Sequence, residues 1–566
     1  MSTSFQCPHC PRNFSTRNAY SQHIEDEKSY EEQNSGNWWK RAERSISNHA
    51  NILSIILYSD ATTTDTLGKS SLHSIYVSLG NIPTWRRNKE DVKQLLGYLP
   101  ILSAKNEKEK KSSEFKELAR ETFHNSIKFL LDPLFQGNSV DFNIDDKDIW
   151  FFPRISTIIC DWPEVCTFSL TYKSANSNYP CHFCLVQRED LIDIRKEVIL
   201  RNHVNMKECF DSIQVIWQVW NRSIITFGAS RKNLNIYAVT VPDRMHHLDL
   251  GLFKYQIEFT MELLKKKKSL NKVNERIADI PRHSQLKVFK KGIQLFRLTA
   301  SEYRDMMKIM VFVVDDLQIK DLSEVYVKWN EMYLLSRSEK FKESDLENFQ
   351  KAINDWANLF IKLFQKISNS HLKFLKLHSW IYHIVNTIWE YGVINGYTTE
   401  TYESLHKTYV KISYRLSNKK EVEKQIIENI RRRAIISRNR VGKTKTPMAF
   451  VYTAKLFDFD LSESMIEQNK KNLNLNKKMI KGFEKFIDCL KTLLITEIRL
   501  PNKSPMHLAL VQWYDFIEET PFVYGCLLLR LVEVYNFIEI EAIEDTIHVV
   551  PRFDKNNEYF VMKLDR

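Results

Sequence analysis

Two near-continuous apolar runs stand out along the chain. NILSIILYSD closes on Asp60 and RISTIICDWPE runs into Asp161. Both read as buried central strands, because a strand covered on both faces carries apolar residues without alternation. HSIYVSLG, His73 to Gly80, instead alternates polar and apolar positions. That pattern predicts a strand beside the first run, with SLGNIP turning out of it. The charged stretch AKNEKEKKSSEFKELARETFHNSIKFLLDPL sets Phe115, Leu118, Phe123 and Ile127 near helical spacing. Strand, strand, helix and then the Asp161 strand is the predicted order of an α/β core.

The flanking chain reads differently. Tyr30 to Ala50 is polar and Ser/Asn-rich apart from Trp38 and Trp39, which predicts a linker. From Leu185 to about Lys376, IQVIWQVW, YQIEFTMELL, YRDMMKIMVFVVDDL and NFQKAINDWANLFIKLFQKI carry aromatic and aliphatic stripes at helical spacing. These predict the core of an all-α insertion. EVEKQIIENIRRRAII, Glu421 to Ile436, sets Val422, Ile426, Ile430 and Ile436 roughly on one face with arginines around it. Beyond Val441 the chain is Lys/Asn-rich and predicts a helical connector. From about Ser504, LALVQWYDFI, RLVEVYNFIEI, TIHVVPRF and EYFVMKL predict a small β-rich, barrel-like module.

Chemistry concentrates between Lys376 and Asn418, where Glu400 and Glu403 lie in a predicted helix rich in His, Lys and Arg. Phosphodiester cleavage by two metal ions needs three or four carboxylates brought together from distant parts of a chain. Asp60 and Asp161 are the candidate partners, since carboxylates at strand ends sit at a sheet rim that substrates can reach. Taken singly, each acid has an ordinary explanation. Glu403 and Lys407 form an i, i+4 surface pair, and Glu400 suits the positive end of a helix.

Two further groups have metal-ligand spacing. FQCPHCPRNFSTRNAYSQH gives Cys7-x2-Cys10 and, after twelve more residues, His23, which is the spacing of a C2H2 zinc finger lacking its second histidine. Asp26 and Glu27 stand near where that ligand belongs. Cys181-x2-Cys184 offers two thiolates to one metal, with His246-His247 as candidates to complete the shell. Against that, Leu248, Leu250, Leu252 and Phe253 after the histidines suit a core-facing helix.

Lys and Arg total 82 against 70 Asp and Glu, a net charge of +12 and a pI near 9.0, which permits a polyanionic partner. Nine cysteines, some in C-x2-C pairs, favour metal sites in a reducing compartment over a disulfide framework. The longest apolar run, MMKIMVFVV, is short and interrupted by Lys308, so an intracellular protein outside the membrane is expected.

Several motifs then agree in order and spelling. They are LYSDATTTDTLGKSSLHSIYVSLGNIPTWRR with LLGYLP, CDWPE, CHFC at Cys181 to Cys184, PDRMHHLDLGLFK from Pro242, and TTETYESLHKTYVKISYRLSN from Thr398. Together they resemble the Plavaka transposases of fungi, which are similar to the CACTA group of DDE transposases. The resemblance runs from about Leu53 to Asn418 and returns near the C-terminus at LALVQWYDFIEE and DTIHVVPRF. It implies an RNase H-like mixed-sheet core interrupted by the helical insertion, flanked by an N-terminal zinc finger and the C-terminal β-rich domain. By residue, it matches Asp60 to the first catalytic aspartate, Asp161 to the second and Glu403 or Glu400 to the closing acid, with Glu403 preferred. It implies Mg2+ or Mn2+ at these acids. It also implies a zinc knuckle of Cys181, Cys184 and His246, to which spacing adds His247.

The expected divisions are 1–28 finger, 29–50 linker, 51–180 first part of the core, 181–375 insertion, 376–440 acidic and basic helices, 441–503 connector and 504–566 β-rich domain. The expected partner is double-stranded DNA at transposon ends, in a nuclear protein able to form homo-oligomers. Lys407, Arg415, Arg431, Arg432 and Arg433 are candidate DNA contacts, with His378, His383 and His406 as phosphate contacts or supports of the acids. The incomplete finger, and only about 36 residues between His23 and Asp60, depart from the family pattern. They leave an alternative: a catalytically inactive, domesticated zinc-finger DNA-binding protein acting as a transcription or chromatin factor.

Overall fold

The computed structural model describes residues 5–6, 13–14, 28–46, 50–64, 71–135, 139–144, 147–171, 177–211, 235–281, 286–287, 289–290, 292–295, 298–418, 422–441, 493–498, 506–516, 528–539, 548–551 and 558–562. Its chain divides into two compact units: Met1–Lys267, Leu295–Met307 and Glu324–Gly442 in one, Lys268–Gln294, Lys308–Ser323 and Lys443–Arg566 in the other.

In the first unit, strands Asn51–Thr63 (β1), Ser71–Leu79 (β2), Gln94–Leu99 (β3), Val140–Ile144 (β4) and Lys147–Ile159 (β5) form a mixed sheet of order β3-β2-β1-β5-β4. The two apolar runs become β1 and β5, paired in parallel from Asn51↔Phe151 to Tyr58↔Ile159. Two parallel strands need a crossover, and helix Ser113–Phe135 (α1) lies within it. Its Phe123, Ile127 and Leu131 pack with Ile55, Leu57 and Ile158 in one buried cluster. Parallel pairing also sends Asp60 and Asp161 to the same rim. The short helix Trp162–Phe168 (α2) begins there, capped by Asp161. A parallel bridge from Ile158 to Thr240 brings the Asp243–His247 segment alongside.

The described aromatic stripes are core, as their spacing predicts. A π-type stretch, Met245–Phe253, runs into helix Lys254–Lys266 (α3), and helices Glu343–Phe364 (α4) and Leu375–Tyr391 (α5) follow. Ring centroids of Phe253 and Trp329 lie 5.3 Å apart and those of Trp329 and Trp356 5.1 Å apart. The Trp356 indole donates to Gln256 at 2.8 Å, so a buried polar atom is satisfied.

The 376–418 stretch is not one helix. Gly392 ends α5 at φ +82°, and a Cβ there would stand 2.6 Å from the Glu32 carbonyl oxygen, so both conformation and space call for glycine. Helix Glu400–Leu405 (α6) then starts separately and continues through a π-type turn, His406–Ile412. Helix Val422–Val441 (α7) holds the arginine-rich sequence.

The predicted linker is folded, which corrects that expectation. Ser29–Tyr30 pairs antiparallel with Phe341–Lys342, and a helix spans Asn37–Arg44. Tyr30 is buried and donates to Glu343 at 2.7 Å, Trp38 packs 6.2 Å from Tyr391, and Ser54 of β1 donates to Gln33 at 2.7 Å. Its Ser and Asn content suggested a loop, but apolar anchors spaced along the stretch tie it across the sheet and the helices.

At the N-terminus Phe5–Gln6 pairs antiparallel with Asn13–Phe14, as a finger hairpin requires. Cys7, Cys10, His23, Asp26 and Glu27 lie outside the described residues, as do IQVIWQVW and most of the predicted connector. In the second unit, Leu493–Ile498, Met506–Phe516, Leu528–Glu539, Glu558–Met562 and His548–Pro551 form, in that spatial order, an antiparallel sheet. Among the described strands it is open, not a closed barrel. Its first strand falls in the stretch read as helical connector, where Ile495, Thr496 and Ile498 supply the β-branching a strand favours.

Candidate metal centre

Asp60, on β1, receives a 3.4 Å hydrogen bond from Tyr58 and stands 3.5 Å from His406 Nδ1. Asp161 accepts the backbone N–H of Glu164 at 2.9 Å, and Pro163 suits the first turn it caps. Glu403 lies in the first turn of α6. Burial, then the charges of Asp161 and Glu164, push the Asp60 carboxyl up to about 6. Burial likewise raises Glu403 to about 7, with Asp243, Asp60 and Asp161 adding to it and His246 opposing. Asp161 is raised by burial, against the pull of its backbone hydrogen bond. All three are disfavoured as anions by burial, and Asp161 adds to the rise of Asp60 while Asp60 and Asp161 add to that of Glu403.

Glu400 is engaged elsewhere. Arg304 grips its two oxygens at 2.7 and 3.1 Å, Arg244 stands 3.7 Å away, and Arg304 also reaches the buried Asp249 at 3.1 Å. Burial raises Asp249 to about 7 against both arginines.

Asp243 is fully buried and ties two segments together. It accepts the Thr399 N–H at 2.8 Å, the Thr399 hydroxyl at 2.9 Å, the His246 N–H at 2.7 Å and His246 Nδ1–H at 2.8 Å. Burial opposes its charge, but the bonds from His246 and Thr399 outweigh it and hold the carboxyl well below the usual range. His246 Nε2 is then 3.4 Å from Glu403. Burial disfavours the imidazolium, yet Asp243 and Glu403 raise its pKa. The Lys376 ammonium donates to the His246 carbonyl at 2.7 Å. Asp243 escaped the sequence reading; its signal was the D-x2-H spacing, which lets one carboxylate cap a helical turn and bind the histidine.

A second cluster joins Cys181, Cys184, His378 and His383, all buried, with ligand atoms within 4.8 Å of one another. Cys181 Sγ lies 3.6 Å from His383 Nε2, and Cys184 Sγ 3.2 Å from His378 Nε2. Two thiolates and two imidazoles are a tetrahedral zinc donor set. Burial opposes charge, but hydrogen bonds from Cys184, His378 and His383 bring the Cys181 thiol well below its ordinary range. Arg201 braces the loop, donating to the Cys181 and Cys184 carbonyls at 2.8 and 3.2 Å.

This corrects two expectations. His246 and His247 do not complete the shell: His246 serves Asp243 and Glu403, while His247 stands 2.7 Å from the Ser379 hydroxyl and 2.9 Å from the Asp243 carbonyl. Nor do His378 and His383 face phosphate, since they are buried against the cysteines. Lys407 and Arg415 are exposed on the continuation of α6. Arg432 is exposed 3.6 Å from Glu428, and the side chains of Arg431 and Arg433 lie outside the described residues.

A mixed α/β sheet with Asp60 and Asp161 at one rim, accompanied by a Cys2His2 cluster, defines a candidate metal-dependent protein. Residues 10–259 match the model of the Plavaka transposase family, and the matched stretch includes Asp60, Asp161, Cys181, Cys184, Asp243 and His246. No curated protein matches the chain. Among the described residues no helix is long and apolar enough to cross a membrane.

Proposed function

We propose that the protein cleaves and joins DNA at transposon ends through a DDE-type site of Asp60, Asp161 and Glu403 on an RNase H-like core. The observation that carries this reading is the parallel pairing of β1 with β5, which brings Asp60 and Asp161 to one rim, where both add to the raised pKa of Glu403. Strand order adds support: three antiparallel strands, a crossover helix and a strand returning parallel to the first are what such a core requires.

The donor set fits a hard divalent cation, because carboxylates disfavoured as anions by burial and by neighbouring acids gain from a bound positive charge. Asp60, Asp161 and Glu403 would hold Mg2+ or Mn2+. When bound, such ions activate the attacking hydroxyl and stabilise the leaving oxygen. His246, fixed by Asp243, orients Glu403, while Arg304 and Arg244 hold the start of α6 by gripping Glu400. Lys407 and Arg415 are placed to meet backbone phosphates. Work on DNA puts the protein in the nucleus.

The test is Mg2+- or Mn2+-dependent nicking of DNA carrying the element's ends, beside Asp60→Asn and Glu403→Gln. Activity lost in both variants with DNA affinity kept supports the reading. Wild-type nicking that survives either substitution overturns it.

A further inference from the structure

Glu164 is a fourth carboxylate at the same rim, and its bonds reach Asp161 and the residues that flank Asp60. The ladder between β1 and β5 ends at Tyr58↔Ile159, so no strand pairing fixes Asp161 relative to Asp60. Asp161 belongs instead to the turn that opens α2. Glu164 spans that gap. Its Oε1 accepts the Ser59 hydroxyl at 2.5 Å and lies 2.6 Å from His73 Nε2. Ser59 immediately precedes Asp60, and His73 pairs in register with Ala61, which immediately follows it. One carboxylate oxygen therefore grips β1 and its neighbour on either side of Asp60, while the backbone N–H of the same residue binds Asp161 at 2.9 Å. The far end is backed as well: the His73 ring packs 5.6 Å from Phe123, which sits 5.1 Å from Phe168 at the end of α2.

We infer that Glu164 is a positioning residue that sets the separation of Asp60 and Asp161, with Ser59 and His73 as its anchors. The inference rests on the proposed DNA-cleaving role of those aspartates. A metal-dependent site tolerates only about 0.5 Å of error, and a capping turn free to shift on the end of a strand would exceed that. A glutamine retains a carbonyl oxygen for Ser59 and His73 and leaves the backbone bond untouched, so it keeps the brace. It removes one negative charge from a cluster that must attract cations. Alanine removes the brace altogether.

The experiment compares Mg2+ titrations of DNA nicking for the full chain and for Glu164→Gln, Glu164→Ala, Ser59→Ala and Asp60→Asn, with DNA affinity, zinc content and thermal unfolding measured in parallel. The expected result is a loss on the order of 100-fold in Glu164→Ala, the scale of an ångström-level misplacement. Glu164→Gln should come within several-fold of wild type at saturating Mg2+ while requiring more of it. Ser59→Ala, a milder cut that keeps the protein testable should Glu164→Ala fail to fold, should raise the Mg2+ requirement several-fold. Wild-type behaviour of both Glu164→Ala and Ser59→Ala overturns the inference. So does a Glu164→Gln as inactive as Asp60→Asn at saturating Mg2+, which would make Glu164 a direct ligand. If Asp60→Asn itself still nicks DNA, the DDE reading fails, and that outcome is distinct from an intact DDE site indifferent to Glu164.

Discussion

His246 holds its Nε2 3.4 Å from the carboxylate of Glu403 while Asp243 binds its other nitrogen at 2.8 Å. A buried anion therefore fixes a ring whose protonation it favours against an acid whose own charge is disfavoured. Removing the ring removes the influence that lowers the Glu403 pKa. His246→Ala should move the rising limb of the nicking pH profile to higher pH and reduce the rate by about 100-fold, the scale of a lost positioning contact. A pH–rate profile under saturating Mg2+ checks both.

Glu403 and Glu400 should part company on substitution. Glu403→Gln is expected to abolish nicking with little loss of stability, since it relieves a crowded charge. Glu400→Gln leaves Arg304 and Arg244 short of a partner, and the half-exposed setting reduces the cost to about 1–2 kcal/mol. Its effect should appear in denaturant unfolding more than in the rate at saturating substrate.

Charge at the rim should also show in the stability of cation-free protein. The Asp60 and Glu403 pKa values are raised from 3.8 and 4.5 to about 6 and about 7. A raised acid contributes stability that is fully present below its unfolded value and is lost as pH climbs through the folded one. In EDTA the protein should therefore lose stability from about pH 4 to about pH 7 on this account. Mg2+ should restore it at pH 7.5 but not at pH 5. The Asp60→Asn/Glu403→Gln double variant should lack that component, as thermal melts across the pH series would reveal.

The cysteine cluster makes a compositional prediction. His383→Ala should lower bound zinc by about one equivalent per chain, and His246→Ala should not, as metal analysis of purified protein would read directly. Loss of that ion would free α5 from the Cys181–Cys184 loop, so the His383 variant should unfold at lower denaturant.

Trp38 tests the folded N-terminal strap. It is buried against Tyr391, and Trp38→Ala is expected to cost about 3 kcal/mol as a large-to-small change in a packed site. A true linker would yield no measurable change in the unfolding midpoint.

Much of the sheet was legible because β1 and β5 carry near-continuous apolar runs and each leads into an aspartate. The aromatic stripes of α3 and α4 were legible for the matching reason at helical period. Long-range partnership was not. His378 and His383 lie about 200 residues from the cysteines they meet, whereas the adjacent His246-His247 pair offered a nearer and misleading match. Separating Glu400 from Glu403 needs Arg304, which no local motif announces. The strap was hidden because sparse anchors such as Tyr30 and Trp38 do not make a periodic pattern.

The parallel register of β1 with β5, and the distance from there to α6, also govern when danger begins. A ribosome releases both aspartates and both cysteines long before it makes His378, His383 and Glu403. Every nascent or prematurely terminated chain lacking the last third of the polypeptide is short of the closing acid, and half of the zinc donors are missing too. The DNA-cutting centre proposed for this chain would stay disarmed throughout most of its own synthesis, without any inhibitor.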